Sequence, residues 1–356
     1  MKIRALIAWV SIGISITTVH AQGTYYDSAF GLKEEVLKET LHSLISNHTE
    51  YTYTSSQTDV WDILKQTDRD TINPDNVILI YSGRSVDAAQ EYNSAAGWSR
   101  EHVWAKSRGD FGTSPGPGTD VHHLRPCDVG VNSTRNNRNF DDCVSCVDVI
   151  DNGYNTGSKR DASLWTFEPP DEVKGDVARM IFYMAIRYEG TNGEPDLELS
   201  VSLLDKSSKL PFQANLNTLL EWNRIDSVSD WERNRNEIIF SDFQGNRNPL
   251  IDHPELAEYL WGDSTGLVWY PPFPVSVMDK NKEQGYRVYP NPSSHEVFIQ
   301  GLFQEAQIFD VNGSQVSQII GGGNSVNTIY GLNQGVYFVH IINSNGNVSI
   351  KKIMVI

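Results

Sequence analysis

The stretch from Trp98 to Phe140 constrains this chain more than any other part of it. It reads WSREHVWAKSRGDFGTSPGPGTDVHHLRPCDVGVNSTRNNRNF. Its centre, Gly112–Thr119, is rich in Gly and Pro and breaks both helix and strand. On either side lie SREHVWA and DVHHLRP, whose β-branched and aromatic content suits short strands, the second ending at Pro126. From Asp128 the chain can turn into a helix with Asn132 and Arg135 three residues apart on one side. The predicted unit is strand, loop, strand, helix. Its first strand carries Glu101 and His102. Neighbours on a flat strand face opposite ways, so these two reach one site only at a bulge or a strand end near Trp98–His102.

A carboxylate, an imidazole and a carboxamide are what is needed to hold one hard divalent cation and activate a water beside it. Here Glu101 and Asn132 are the candidate ligands and His102 the candidate base. Each has a plainer reading: a core histidine, an ion pair of Glu101 with Arg100 or Arg125, a helix cap at Asn132. Asn136 and Asn137 compete with Asn132 as the amide ligand. Arg125, Arg135 and Arg138 can clamp phosphate, or pair with Asp120, Asp128 or Asp141. His122 and His123 can line the site or support His102 from behind. A metallohydrolase led by those two lacks the HExxH spacing.

REHVW, HHLRP and VNSTRNN resemble the signature of the bacterial endonuclease I family, secreted or periplasmic nucleases with a ββα-metal (His-Me finger) site. GDVARMIFYMAIRY (Gly175–Tyr188) and QGNRNPLIDHPELAEYLW (Gln244–Trp261) extend the likeness to roughly Tyr25–Trp261. The resemblance implies that Glu101 and Asn132 bind a divalent ion, usually magnesium, with calcium or manganese as alternatives. It makes His102 the general base; Arg125 and Arg135, from the residue types alone, are the arginines expected to act beside it on the phosphate. It implies hydrolysis of DNA, with RNA left open, at low sequence preference and with 5′-phosphate products. The alternative is a secreted surface or binding protein with an inactive nuclease core.

Charge gives a mixed signal. The chain carries a net −16, although phosphate binding usually leaves a basic footprint. Trp98–Phe140 is nonetheless positive, with six Lys or Arg against four Asp or Glu. An island of that kind predicts modest, salt-sensitive affinity.

Residues 1–21 read as a signal peptide: Lys2 and Arg4, an apolar run, then Val19-His20-Ala21. No later segment is long and apolar enough to cross a bilayer. The three cysteines, Cys127, Cys143 and Cys146, allow a disulfide after export, with its pairing open. Helical spacing marks Leu32–Ser46, Asp59–Lys65, Asp171–Tyr188, Leu216–Trp222, Trp231–Ile239 and Pro254–Trp261. NVILIY (Asn76–Tyr81) reads as a buried strand. The expected class is α+β: a mainly helical catalytic domain at 22–268 around the ββα-metal motif, a linker at 269–285, and a small all-β sandwich at 286–356. In the last part, Asn312-Gly313 and Asn345-Gly346 are hairpin turns between alternating runs. Tyr289-Pro-Asn-Pro292, GVYFV and the ending KKIMV resemble the type IX (Por) secretion C-terminal sorting domain. That implies passage through the periplasm to the outside or the cell surface, with the type IX machinery as partner. A carbohydrate-binding or adhesive β-module is the alternative.

Overall fold

The computed structural model describes residues 25–92, 96–271, 286–294, 296–321, 326–343 and 348–356. The expected signal peptide, most of the expected linker and the Asn345-Gly346 turn lie outside these residues. Two compact units divide at Pro271 and Pro272.

The first unit opens with helices α1 (Glu34–Ile45) and α2 (Val60–Thr67). Asp59 starts α2 by accepting from the Trp61 and Asp62 N–H groups, and Asp62 answers with a capping box. The short hairpin β1 (Asn76–Ile78) and β2 (Ser85–Asp87) follows. Next come β3 (Trp98–His102) and β4 (Leu124–Asp128), antiparallel, and then α3 (Val129–Arg135). This is the predicted strand, loop, strand, helix. The second strand begins later than DVHHLRP suggested and runs through Pro126. Pro126 lies opposite Arg100, and its carbonyl accepts from the Ile80 N–H.

A four-stranded sheet is built from β5 (Asn139–Phe140), β6 (Val147–Asp151), β7 (Tyr154–Asp161) and β8 (Thr166–Glu168), in the order β5-β8-β7-β6. Asn152 and Gly153 join β6 to β7 with φ of 48° and 81°, the left-handed pair that a tight hairpin turn requires. Helix α4 (Lys174–Arg187) is the central beam, with every residue from Lys174 to Arg187 buried. Helical spacing of the kind Asp171–Tyr188 shows ordinarily leaves one face of a helix wet. Instead the charged side chains of α4 end on partners inside the protein, as Arg179 does on Glu232 at 2.7 Å. A parallel pair, β9 (Glu198–Ser200) and β10 (Phe212–Ala214), leads to α5 (Leu216–Ile225), α6 (Asp230–Ile238), α7 (Pro249–Asp252) and α8 (Leu256–Trp261). Trp269 is fully buried, and its backbone pairs with Leu32. The main core gathers α1, α4, α5 and α8 with Tyr81, Trp104 and Phe140; a second cluster joins Trp61, Trp98 and Leu124.

The expected mainly helical catalytic domain is not what forms. The chain is 27% helix and 29% strand, with several small sheets in the first unit. The strands were hard to see because most are only two to five residues long, too short to show a period. The second unit has two sheets, β11-β12-β15 and β14-β13-β16-β17. Their strands are β11 (Arg287–Tyr289), β12 (Val297–Gln300), β13 (Glu305–Asp310), β14 (Gln315–Ile320), β15 (Val326–Ile329), β16 (Gly335–Ile342) and β17 (Val348–Val355). Its own core includes Ile299, Ile308, Val339, Ile341 and Ile353. The Asn312-Gly313 turn joins β13 to β14 as expected, with Asp310 accepting from the Asn312 and Ser314 N–H groups at 2.9 Å.

Candidate active site

No bulge interrupts β3. Pairing stays in register from Trp98↔Asp128 to His102↔Leu124, and the strand ends at His102. Regular alternation therefore sends Glu101 and His102 to opposite faces. Ser99 and Glu101 turn toward α3. Trp98, Arg100 and His102 turn toward Trp61 and Tyr53.

On the α3 face, Asn132 Nδ2 donates to Ser99 Oγ at 3.0 Å and to the Arg100 carbonyl at 3.2 Å. Both amide hydrogens are thereby used, and among the described residues nothing donates to Oδ1. Glu101 is 2% exposed; its Oε1 accepts from the Tyr81 hydroxyl at 3.0 Å and lies 3.3 Å from Arg135 Nε. Burial pushes the Glu101 carboxyl up to about 7 against the pull of Arg135 and Tyr81. Arg135 is fully buried. It donates to the carbonyls of His102, at 3.2 Å, and Val103, and lies over the Phe140 ring. Its place is a brace between α3 and the end of β3.

On the other face, His102 stacks on Tyr53 with ring centroids 5.6 Å apart and 22° between planes. Its Nε2 meets the Gly118 carbonyl at 3.0 Å. A carbonyl only accepts, so Nε2 carries the hydrogen and Nδ1 holds the free lone pair. Among the described residues Nδ1 has no protein partner. Burial, followed by His123, holds the imidazole well below its usual range, so it is neutral at neutral pH. His123 Nε2 donates to the Pro117 carbonyl at 2.8 Å, and its Nδ1 accepts from the Trp104 N–H at 3.3 Å. Thus the Gly- and Pro-rich loop fixes both rings through consecutive carbonyls. His122 is farther back, with Nε2 on the Asn246 carbonyl at 3.1 Å. Burial brings His122 and His123 each down to about 4. Asp120 anchors this turn, accepting from Tyr183 at 2.8 Å, Tyr188 at 3.0 Å and Gln244 at 3.1 Å.

Arg125 does not join the group. It is 2% exposed, its Nε donates to Asp68 at 2.6 Å, and its guanidinium lies 4.3 Å from the Trp231 ring centroid. Arg235 shares Asp68 at 3.3 Å. Beside His102 the more open cation is Arg100, stacked over Tyr53 at 3.4 Å and Trp61 at 4.0 Å. Exposed Lys106 also contributes its charge to His102. Sequence reasoning missed Tyr53, Tyr81 and Gly118. Tyr81 ends the apolar run NVILIY and so had a signal as a core residue; Tyr53, in the polar YTYT, had none.

Cys143 and Cys146 form a disulfide, and Cys127 is a buried free thiol. Among the described residues, Glu189, Asp196 and Glu198 bring carboxylate oxygens within 4.8 Å of one another. Lys38 occupies that cluster, 2.6 Å from Glu189 and 2.8 Å from Glu198. No helix among the described residues is long and apolar enough to cross a membrane.

Residues 34–255 match the Endonuclease I family, and residues 287–356 match a secretion system C-terminal sorting domain. An extracellular ribonuclease of Bacillus subtilis is 51% identical over 238 residues, 67% of this chain and 78% of the relative. One from Bacillus amyloliquefaciens is 50% identical over the same shares. An Endonuclease-1 of Buchnera aphidicola is 31% identical over 134 residues, 37% of this chain and 46% of the relative. With its sorting domain and its extracellular relatives, the protein is secreted or displayed at the cell surface. The chain belongs to the endonuclease I family.

Proposed function

We propose that this secreted nuclease hydrolyses the phosphodiester backbone of both DNA and RNA, using one divalent cation and His102 as general base. The observation that carries the reading is the pinned imidazole. The Gly118 carbonyl takes Nε2, and among the described residues the neutral ring's Nδ1 has no hydrogen-bond partner beside the strand end. A base of this kind needs no 2′-hydroxyl on its substrate, because the nucleophile is water. That suits both the ribonuclease and the endonuclease names of the relatives.

Glu101 and Asn132 would hold the cation. A carboxylate oxygen and an amide oxygen are hard donors, which fits magnesium best, with calcium or manganese able to substitute. Bound there, such an ion would supply Lewis-acid stabilisation of the charge that develops on phosphorus and on the leaving 3′ oxygen. The residues do the rest. His102 Nδ1 takes a proton from water as the oxygen attacks phosphorus in line, giving a 5′-phosphate product. A phosphodiester lying across the end of β3 reaches Glu101 on one face and His102 on the other. Arg100 and Lys106 draw it there, whereas Arg135 and Arg125 hold the frame. The type IX machinery would read the C-terminal unit.

The test is a plasmid-nicking and RNA-cleavage assay with and without chelator. Cleavage of both substrates, lost with chelator and reduced by ~10²–10⁴-fold in His102→Ala, is expected. Chelator-resistant cleavage, or a fully active His102→Ala, would remove the mechanism.

A further inference from the structure

Past Asn136, whose carbonyl accepts from Arg135, the side chains of Asn137 and Asn139 serve none of the groups above. They tie two surface loops together. Asn137 accepts from Trp165 Nε1 at 2.8 Å and donates through Nδ2 to the Lys206 carbonyl at 2.8 Å. Asn139 donates its backbone N–H to the Trp165 carbonyl at 3.0 Å and its Nδ2 to the Leu204 carbonyl at 2.9 Å. From beneath, Arg108 donates to the carbonyls of Asn137, Asp205 and Ser208. The product is a rigid seat for one indole. Trp165 is half-buried and sits at φ 57°, a region that bulky residues avoid unless their surroundings force it.

Cations crowd this ring. The Arg138 guanidinium lies 3.8 Å from its centroid and Lys206 Nζ 5.5 Å. Burial, then neighbouring Arg160 and Arg135, brings Arg138 down to about 10. Among the described residues, Arg138, Arg160 and Lys206 form no ion pair with a carboxylate. On a chain of net −16, two cations over a strained tryptophan, with Arg160 close enough to act on Arg138, call for an anionic, flat-faced ligand. Single-stranded nucleic acid has both features: phosphates for the cations, and a base face for the indole. The cluster is also close to the site. Arg138 donates to the carbonyl of Thr134, two residues after Asn132 on α3.

We propose that Trp165, Arg160 and Lys206, with Arg138 behind the ring, form a subsite for one unpaired nucleotide of the substrate strand, its base on the indole and its flanking phosphates on the cations. The subsite rests on the nuclease reading. A base inside a duplex has both faces covered by its neighbours, so the subsite favours single-stranded DNA and RNA over duplex.

The experiment uses the full chain with magnesium and two substrates: a short single-stranded oligonucleotide, and bis(p-nitrophenyl) phosphate, which is too small to reach the subsite. Trp165→Ala is expected to raise KM for the oligonucleotide by about 5- to 150-fold, the worth of one base–aromatic stack, with kcat nearly unchanged. Hydrolysis of the small ester should not change. Trp165→Phe, which keeps a ring but loses the bond to Asn137, should restore most of the affinity. Arg160→Gln with Lys206→Gln should lower the slope of log KM against log salt by about 1.4, at roughly 0.7 per phosphate released. Unchanged oligonucleotide KM in Trp165→Ala, or equal loss in the Ala and Phe variants, overturns the subsite. If Trp165→Ala does not fold, the Phe variant and the cation pair decide. A parent protein that cleaves neither substrate refutes the nuclease reading instead.

Discussion

Gly118 is where the base can be disturbed without touching a reacting group. A Cβ there would lie 2.8 Å from the carbonyl oxygens of Gly112 and Ser114 and 2.9 Å from Thr113 Cα. All three are backbone atoms and cannot swing aside, so Gly118→Ala must open the loop by roughly half an ångström to reach ordinary contact. The Gly118 carbonyl moves with it. Its bond to His102 Nε2 is 3.0 Å, and a shift of that size carries it to the edge of hydrogen bonding. If the bond only selected the tautomer, its loss would cost ~1 kcal/mol, or about fivefold in rate. If it also aims the ring, a displacement approaching 1 Å costs ~10²-fold. The expected result is therefore kcat down by about 5- to 100-fold with KM little changed, since no cation or metal ligand moves. Steady-state cleavage at saturating magnesium checks this, with His102→Ala as the floor and ring ¹⁵N shifts reporting the tautomer. A folded Gly118→Ala protein with kcat within about twofold of the parent would refute the reasoning, because the carbonyl would then not be what orients the base.

Asn132→Ala should weaken magnesium binding by about 10- to 100-fold, with activity partly recovered in excess magnesium; calorimetric titration with unchanged affinity would move the amide ligand to Asn136. The buried rings should add stability as pH rises between about 4 and 6.5, because His122 and His123 titrate near 4 in the folded chain and near 6.5 unfolded, so the unfolded state binds their protons more. Buried Glu101 and Asp176, each raised to about 7, act the other way in the same window, so the check is a difference: His123→Gln should make the thermal midpoint rise less steeply with pH than in the parent, and an unchanged pH dependence would contradict the buried neutral ring. The first unit, ending at Pro271, should fold and cleave alone at a rate close to the full chain, because its core is separate from that of the second unit. In the native host, deletion of Tyr286–Ile356 should leave active enzyme in the periplasm, and normal export of the shortened chain would refute the sorting role.

The ββα unit was legible because its signals are local. Gly and Pro mark the loop, β-branched residues mark the strands, and the spacing of Asn132 and Arg135 marks the helix. Helices of eight or more residues were legible for the same reason. What failed was the strand content. The segment VDVIDNGYNTGSKRD did carry a hairpin signal, Asn152-Gly153 between alternating residues, and went unread because its strands are mostly polar and exposed. The parallel pairs β5 with β8 and β9 with β10 left no such mark. Each rests on two or three residues whose partners come from elsewhere in the chain, and periodicity cannot report a distant partner.

The site shows a sharper limit, in its arginines. Arg100, Arg125, Arg135 and Arg138 all fall in one motif-rich stretch, and each is a sensible phosphate clamp by residue type. The structure spends them differently. Arg125 is taken up by Asp68, Arg135 by Glu101 and two backbone carbonyls, and Arg138 by an indole. Arg100 keeps a partly open face. What takes Arg125 and Arg135 out of reach is a buried acceptor brought from another part of the fold, such as Asp68, which precedes β1. Arg138 is buried instead under an aromatic ring, with the Thr134 carbonyl of the adjoining helix as its acceptor. Arginine count therefore overstates the cations that a phosphate can touch. The positive island read from Trp98–Phe140 is mostly internal scaffolding, and the accessible charge comes instead from Arg100 and Lys106 within it and from Arg160 and Lys206 outside it.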